Sequence, residues 1–166
     1  IGLGYMPLEI GIIKATGMDV YKFKYPKFKG LDAYDNLYLG LHKAIKNAKK
    51  MLMRYRKKYD YFYIHIKECD IPGHDNKPLD KVKMIEILDD KFFSFLRGFV
   101  GESRLVVTGD HATVCRLKAH SADAVPVLTY PNLEKTVKGQ RFVEVDGLKG
   151  KRIFGRKLLE ERFFRK

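Results

Sequence analysis

Asp70-Ile71-Pro72-Gly73-His74 and Gly109-Asp110-His111, followed by His120, bring two carboxylates and three imidazoles into the middle of the chain. Side chains of these types, drawn to one place, would form a ligand set suited to zinc, manganese or cobalt. Two carboxylates held close together also favour a divalent cation between them, because unpaired anions away from water are costly. Each motif has a plainer reading as well. Asp70 and His74 can be turn formers around Pro72 and Gly73, and Asp110 can simply cap a following helix. Pro72 and Gly73 argue against a helical face between Asp70 and His74, so a turn is expected to bring that pair together. His65 lies inside a predicted strand and is read as a packing residue or a support behind the ligands. His42 belongs to a helix surface.

The elements that must position these residues alternate. Residues 7–15 read as a short helix ended by Gly17, and 18–25 as a strand, with a loop over 26–31. Apolar residues then recur at helical spacing at Leu37, Leu41, Ala44, Ile45, Ala48, Met51, Leu52 and Tyr55, predicting a long helix over 37–59. Tyr61-Phe62-Tyr63-Ile64-His65-Ile66 is short, aromatic and β-branched, a strand expected to be buried on both faces. Pro78 opens another helix, with Val82, Ile85, Leu88, Phe92 and Phe95 as its apolar stripe and Gly98 and Gly101 at its end. Strands follow at 104–108 and 125–129, then a short strand near 142–145 and a basic helix from about Arg156. This order implies an α/β fold with a mostly parallel sheet sandwiched between helices. Ligands in such folds bind beyond the carboxyl ends of the strands, where both ligand loops fall.

At 166 residues the chain can bury one core, so 1–166 is read as a single domain or one large piece of a larger one. Apolar residues make up 45% and charged residues 32%, a globular rather than a disordered composition. No apolar run approaches the ~20 residues of a membrane helix, no signal peptide opens the chain, and a cytoplasmic setting is expected. The net charge of +13 permits nucleic-acid binding. However, Lys43, Lys46, Lys49, Lys50, Arg54, Lys57 and Lys58 lie mostly opposite the apolar stripe of the long helix, which is how a solvated outer face reads. Nucleic acid is therefore not the expected partner.

Several consecutive motifs resemble one family. Tyr63-Ile64-His65-Ile66-Lys67, Asp70-Ile71-Pro72-Gly73-His74-Asp75 and Lys81-Val82-Lys83-Met84-Ile85-Glu86 are similar to the archaeal type of cofactor-independent phosphoglycerate mutase, in the alkaline phosphatase superfamily. The resemblance continues through Val106-Val107-Thr108-Gly109-Asp110-His111-Ala112-Thr113 and His120-Ser121-Ala122-Asp123-Ala124-Val125-Pro126-Val127. Residues 11–20 look like the segment re-entering the core after that family's inserted domain, and 147–159 like its closing stretch.

The resemblance implies a partial alkaline phosphatase-like core. Asp70, His74 and His120 would hold one divalent ion, and Asp110 and His111 would help to hold a second. Manganese is the expected metal, with zinc, cobalt and magnesium as further candidates. The implied activity is a glycolytic isomerisation: a metal-activated serine takes the phosphoryl group of 3-phosphoglycerate and returns it to give 2-phosphoglycerate. The serine and a further aspartate belong to an N-terminal part without a match here, as does the inserted domain; Ser94, Ser103 and Ser121 lie in the wrong motifs to replace the nucleophile. Glu68-Cys69 and Cys115 depart from the family pattern. The expected partners are phosphoglycerate and the remainder of the enzyme, and the chain alone is expected to be inactive as a mutase. Another phosphatase or phosphodiesterase of the superfamily, or a basic nucleic-acid-binding module, are the competing functions.

Cys69 and Cys115 with His74 and His120 can also be written as a Cys₂His₂ structural zinc site, but its spacing is unusual and it leaves Asp70, Asp110 and His111 without a role. The two schemes part cleanly. Replacing both cysteines by Ser leaves the metal content measured by atomic absorption unchanged under the carboxylate–imidazole reading, and abolishes it under the thiolate one.

Overall fold

The computed structural model describes residues 1–27, 32–130 and 141–161. The expected loop at 26–31 and the end of the basic C-terminal segment lie partly outside them. Three parallel strands form the main sheet in the order β2-β1-β3: β1 is Gly2–Leu3, β2 is Val20–Tyr21 and β3 is Tyr63–Ile64. Gly2 and Leu3 pair with Val20 and Tyr21 on one side and with Tyr63 and Ile64 on the other. The central strand was not foreseen, because Ile1-Gly2-Leu3-Gly4 has the wrong residue types for a strand. Its glycines answer a packing need instead. A Cβ on Gly2 would lie 2.8 Å from the Ile13 side chain, and one on Gly4 would lie 2.9 Å from Cβ of Glu9. Both neighbours belong to helix α1, Pro7–Ala15, which lies directly on the strand.

Helix α1 follows its sequence signals. Pro7 takes the first helical position, and Glu9 Oε2 accepts from the backbone amides of Tyr5 and Met6 at 3.1 and 3.2 Å. Gly17, at φ +74°, ends it. Helix α2, Ala33–Tyr55, starts before the expected 37–59 because Asp32 caps it through the amide of Tyr34 at 2.7 Å, and it ends at Tyr55, the last residue of the apolar stripe. Leu41, Ala44, Ile45, Ala48, Met51 and Leu52 are all buried on the face that the spacing predicted. His42, Lys43, Lys46, Lys50, Arg54, Lys57 and Lys58 are exposed, as a solvated face requires.

The next helical stretch runs as α3, Ile71–His74, α4, Pro78–Leu88, a π-helical turn at Asp89–Phe93, and α5, Ser94–Phe99. Its buried stripe is not the expected one. Met84, Phe92, Leu96 and Val100 are buried with Leu88 packed beside them, whereas Val82 and Ile85 are about half exposed. A spacing of four residues drifts by about 40° per turn on a straight α-helix. The wide turn at Asp89–Phe93 takes up that drift and keeps the stripe on the core.

Strand β4, Leu105–Thr108, pairs antiparallel with β7, Val127–Tyr130. Between them, β5, Ala112–Val114, and β6, Ala119–Ser121, form an antiparallel hairpin closed by a 3₁₀ turn at Cys115–Leu117. That hairpin also went unforeseen, its strands being too short to show alternation. β3 and β4 are less covered than expected: β3 is an edge of its sheet, and its residues are only half-buried. The strand expected near 142–145 is instead the start of a short helix, α6, Glu144–Gly147. Asp146 there accepts from the amide of Arg141 at 2.9 Å and so closes a turn. Gly155–Lys157 forms a 3₁₀ turn where the basic helix was expected to begin.

Glu68 is buried and accepts from the hydroxyls of Tyr5 at 2.6 Å and Tyr25 at 2.8 Å, so its carboxylate is satisfied without a cation. Burial, with the Glu68 charge beside them, pushes both phenols well above their ordinary range. Burial and then its bond to Asp80 push Tyr38 up to about 12. A tyrosine whose pKa is raised by folding stabilises the fold fully below its unfolded value of about 10, and that stabilisation is lost as pH rises towards the folded value. The melting temperature should therefore fall steeply between pH 10 and about 12, a trend that thermal unfolding followed by circular dichroism will register.

Candidate metal centre

The α3 turn begins at Asp70, and the amide of His74 bonds back to the Asp70 carbonyl at 3.3 Å. Asp70 and His74 therefore share a helical face, contrary to the expectation of a non-helical turn. Pro72 sits within the first turn, where a helix tolerates it. Gly73 answers to packing: a Cβ there would stand 2.8 Å from Cγ2 of Thr113 and 3.0 Å from its carbonyl oxygen. The close approach of α3 to β5 brings the first ligand loop to the second.

The five candidate ligands form one cluster. Asp70, His111 and His120 each offer a donor atom within 4.8 Å of the other two. His74 Nε2 lies 3.1 Å from His120 Nε2 and 3.5 Å from Asp70 Oδ2. Asp110 Oδ2 lies 3.3 Å from His111 Nε2. The rings of His111 and His120 stack with centroids 3.5 Å apart. On the β5–β6 hairpin, Thr113 is directly opposite His120, and cross-strand partners point to the same face.

Hydrogen bonding leaves a particular nitrogen bare on two of these rings. A carbonyl can only accept, so His74 Nδ1 donates to the Lys118 carbonyl at 3.1 Å, and in the neutral ring the lone pair is on Nε2, which faces His120 Nε2 at 3.1 Å. Thr113 Oγ1 donates its one proton to Asp70 Oδ1 at 2.5 Å. The contact of that oxygen with His111 Nδ1 at 3.1 Å must then be donated by the ring, which in the neutral imidazole leaves the lone pair on Nε2, 3.3 Å from Asp110 Oδ2. Each facing pair is held together by something positive between its two atoms, a proton or a metal ion. Nitrogen ligands at 2.0–2.1 Å from a tetrahedral ion would be about 3.3 Å apart, close to the His74–His120 separation. The donor set fits a divalent cation.

His65 stands behind the cluster. Its Nδ1 is 3.5 Å from Glu9 Oε1 and its Nε2 is 3.9 Å from Asp110 Oδ2. These are electrostatic approaches rather than hydrogen bonds. Neither cysteine belongs to the metal-type group found among the described residues. Cys69 packs against the core, and burial together with the Glu68 charge pushes its thiol up to about 12, which disfavours the thiolate that a metal needs. Sequence reading passed over Thr113 and the Lys118 carbonyl. A hydroxyl two residues beyond His111 on a strand signals a same-face partner. The carbonyl carries no sequence signal, but Lys118 at φ +52° marks the turn that aims it.

Helices on a parallel sheet, with carboxylates and imidazoles gathered near the end of β3 and beyond β4, define a metal-binding α/β protein. The chain belongs to the Metalloenzyme superfamily, whose family model matches residues 37–153 and so includes all five candidate ligands; the superfamily has an alkaline phosphatase-like fold. It is 34% identical over 142 residues to a 2,3-bisphosphoglycerate-independent phosphoglycerate mutase of Pyrococcus abyssi, covering 84% of this chain and 32% of that protein. A protein of the same name from Pyrococcus horikoshii is 32% identical over 151 residues, covering 90% of this chain and 34% of the relative. Among solved structures, that of the PH0037 protein from Pyrococcus horikoshii superposes with a TM-score of 0.71 at 30% identity, over 90% of this chain and 36% of the other. The chain thus spans about a third of the length of the relatives it matches. Among the described residues no helix is long and apolar enough to cross a membrane.

The Gly73 contact can be tested on stability alone. Gly73→Ala should cost about 1–3 kcal/mol by urea denaturation, the usual range for overpacking. Gly98→Ala, in α5 with nothing within 4 Å of the new methyl, should be neutral or gain up to about 1 kcal/mol.

Proposed function

We propose that this chain is the metal-binding C-terminal segment of a cofactor-independent phosphoglycerate mutase of the archaeal type, forming one domain. In this reading Asp70, His74 and His120 hold one divalent ion, and Asp110 and His111 contribute to a second, manganese being the expected metal. The observation that carries the reading is the convergence of the donors: His74 Nε2 is 3.1 Å from His120 Nε2, His111 Nε2 is 3.3 Å from Asp110 Oδ2, and Asp70, His111 and His120 offer atoms within 4.8 Å of one another. Each pair wants a shared positive charge, and the ordered motifs shared with the mutases give that charge a purpose.

When bound, the ions would supply Lewis-acid activation of a nucleophile and neutralise charge on the transferring phosphoryl oxygens. This chain's own contribution is orientation. The Lys118 carbonyl fixes the ring of His74, and Thr113 fixes Asp70 and His111. His65 lies between the buried Glu9, 3.5 Å away, and Asp110, 3.9 Å away, which favours a supporting rather than a ligating role. Ser121 Oγ donates to Asp123 at 2.7 Å and is already engaged, in keeping with a nucleophilic serine contributed by the rest of the enzyme. The net charge of +13 would draw an anionic phosphoglycerate towards the molecule.

Calorimetric titration with Mn²⁺ tests the binding half of this reading: the chain takes up the ion, and Asp70→Asn combined with His120→Ala weakens uptake at least tenfold. The activity half is tested on the full-length protein that carries this chain. That protein should interconvert 3- and 2-phosphoglycerate far faster than it hydrolyses p-nitrophenyl phosphate, while the chain alone does neither. Hydrolysis of the simple ester without isomerisation would instead make it a phosphatase of the superfamily.

A further inference from the structure

We infer that Thr113 is a positioning residue shared by both metal positions, an inference that rests on the metal-binding reading above. Its hydroxyl donates to Asp70 Oδ1 at 2.5 Å and accepts from His111 Nδ1 at 3.1 Å, so one oxygen touches a ligand of each proposed ion. Thr113 is buried, and its partners leave the hydroxyl little rotational choice. The single proton points at the carboxylate because a carboxylate can only accept, and that choice obliges the imidazole to donate. Two consequences follow from one rotor. Asp70 keeps Oδ2 free on the side of His74, 3.5 Å away. His111 is held with its proton on Nδ1, so that Nε2, turned to Asp110, is the nitrogen open to a metal in the neutral ring.

The backbone of Thr113 is pinned as well. Lys81 Nζ, from α4, donates to the Thr113 carbonyl at 2.8 Å, and the same carbonyl lines the space that only a glycine at position 73 leaves clear. Thr113 also faces His120 across the hairpin. It therefore sits between Asp70, His111 and His120 without being a ligand of the metal type. Fixing a ligand's tautomer through its second nitrogen is a recognised way of raising metal affinity, and loss of such partners typically costs 10–100-fold. What is particular here is that one hydroxyl serves a carboxylate and an imidazole assigned to different ions.

The test compares wild type, Thr113→Val and Thr113→Ser. Valine keeps the shape and removes the hydroxyl; serine keeps the hydroxyl and removes the methyl. Mn²⁺ titration should show Thr113→Val weakened about 10–100-fold at both positions, with Thr113→Ser restored to near wild type. Nitrogen-15 shifts of His111 without metal should report the Nδ1–H tautomer in wild type and in Thr113→Ser, and a mixture of tautomers in Thr113→Val. Wild-type binding with an unaltered Thr113→Val overturns the inference alone. So does a serine variant as impaired as the valine one, since the methyl would then be the active part. A wild-type chain that takes up no ion overturns the metal reading and this inference together.

Discussion

The near-contact between Gly73 and Thr113 is the constraint on which the candidate centre depends. Asp70 and His74 are carried by a four-residue helix, and His120 by a three-residue strand, elements too short to hold their geometry alone. Their positions are set where α3 leans on the β5–β6 hairpin at a distance only a glycine permits. Once that approach is made, the Thr113 hydroxyl reaches Asp70 and His111, and the Lys118 carbonyl reaches His74. A ligand set drawn from three separate segments then shares a common frame.

The same geometry explains which features could be read from the sequence. Helix α2 was legible because a 23-residue amphipathic pattern leaves little choice of face. The ligand types were legible because carboxylates and imidazoles clustered after two strand-like runs are rarely indifferent to one another. The central strand was hidden, since Gly2 and Gly4 are chosen by the approach of α1 and not by strand propensity. The stripe on α4 was misjudged because a π turn changes the helical period, and no residue type announces one. Pro72 and Gly73 misled for a related reason. Both look like breakers, yet one is acceptable in a first turn and the other is required by a neighbour distant in sequence.

Partial exposure of the cluster bears on its purpose. Asp70 retains 21% of its side-chain surface, His74 39%, His120 51% and Asp110 60%. A structural metal site is usually closed, with every coordination position taken by protein and the ion out of reach of solvent. In this chain, which spans about a third of the length of its relatives, the candidate ligands line an open rim. That openness separates the cluster from the buried acidic groups. It also explains why Glu68, buried and closed off by two tyrosines, plays no part in the cluster despite lying two residues before Asp70.

The division of charge between interior and rim completes that argument. The buried carboxylates of Glu68 and Glu9 are satisfied by hydroxyls and backbone amides, so neither needs a cation for its polar atoms to be paired. Asp110 lacks such cover: its neighbours are the amide of His111 in its own loop and two imidazoles at 3.3 and 3.9 Å. Thr113 gives Asp70 one strong donor but leaves Oδ2 turned to His74. Glu68 and Glu9 are thus paired inside the fold, whereas Asp70 and Asp110 face imidazoles at the rim. Carboxylates grouped with imidazoles in this way are drawn further together when a divalent ion arrives. That asymmetry is the physical basis for placing metal chemistry at this edge of the molecule.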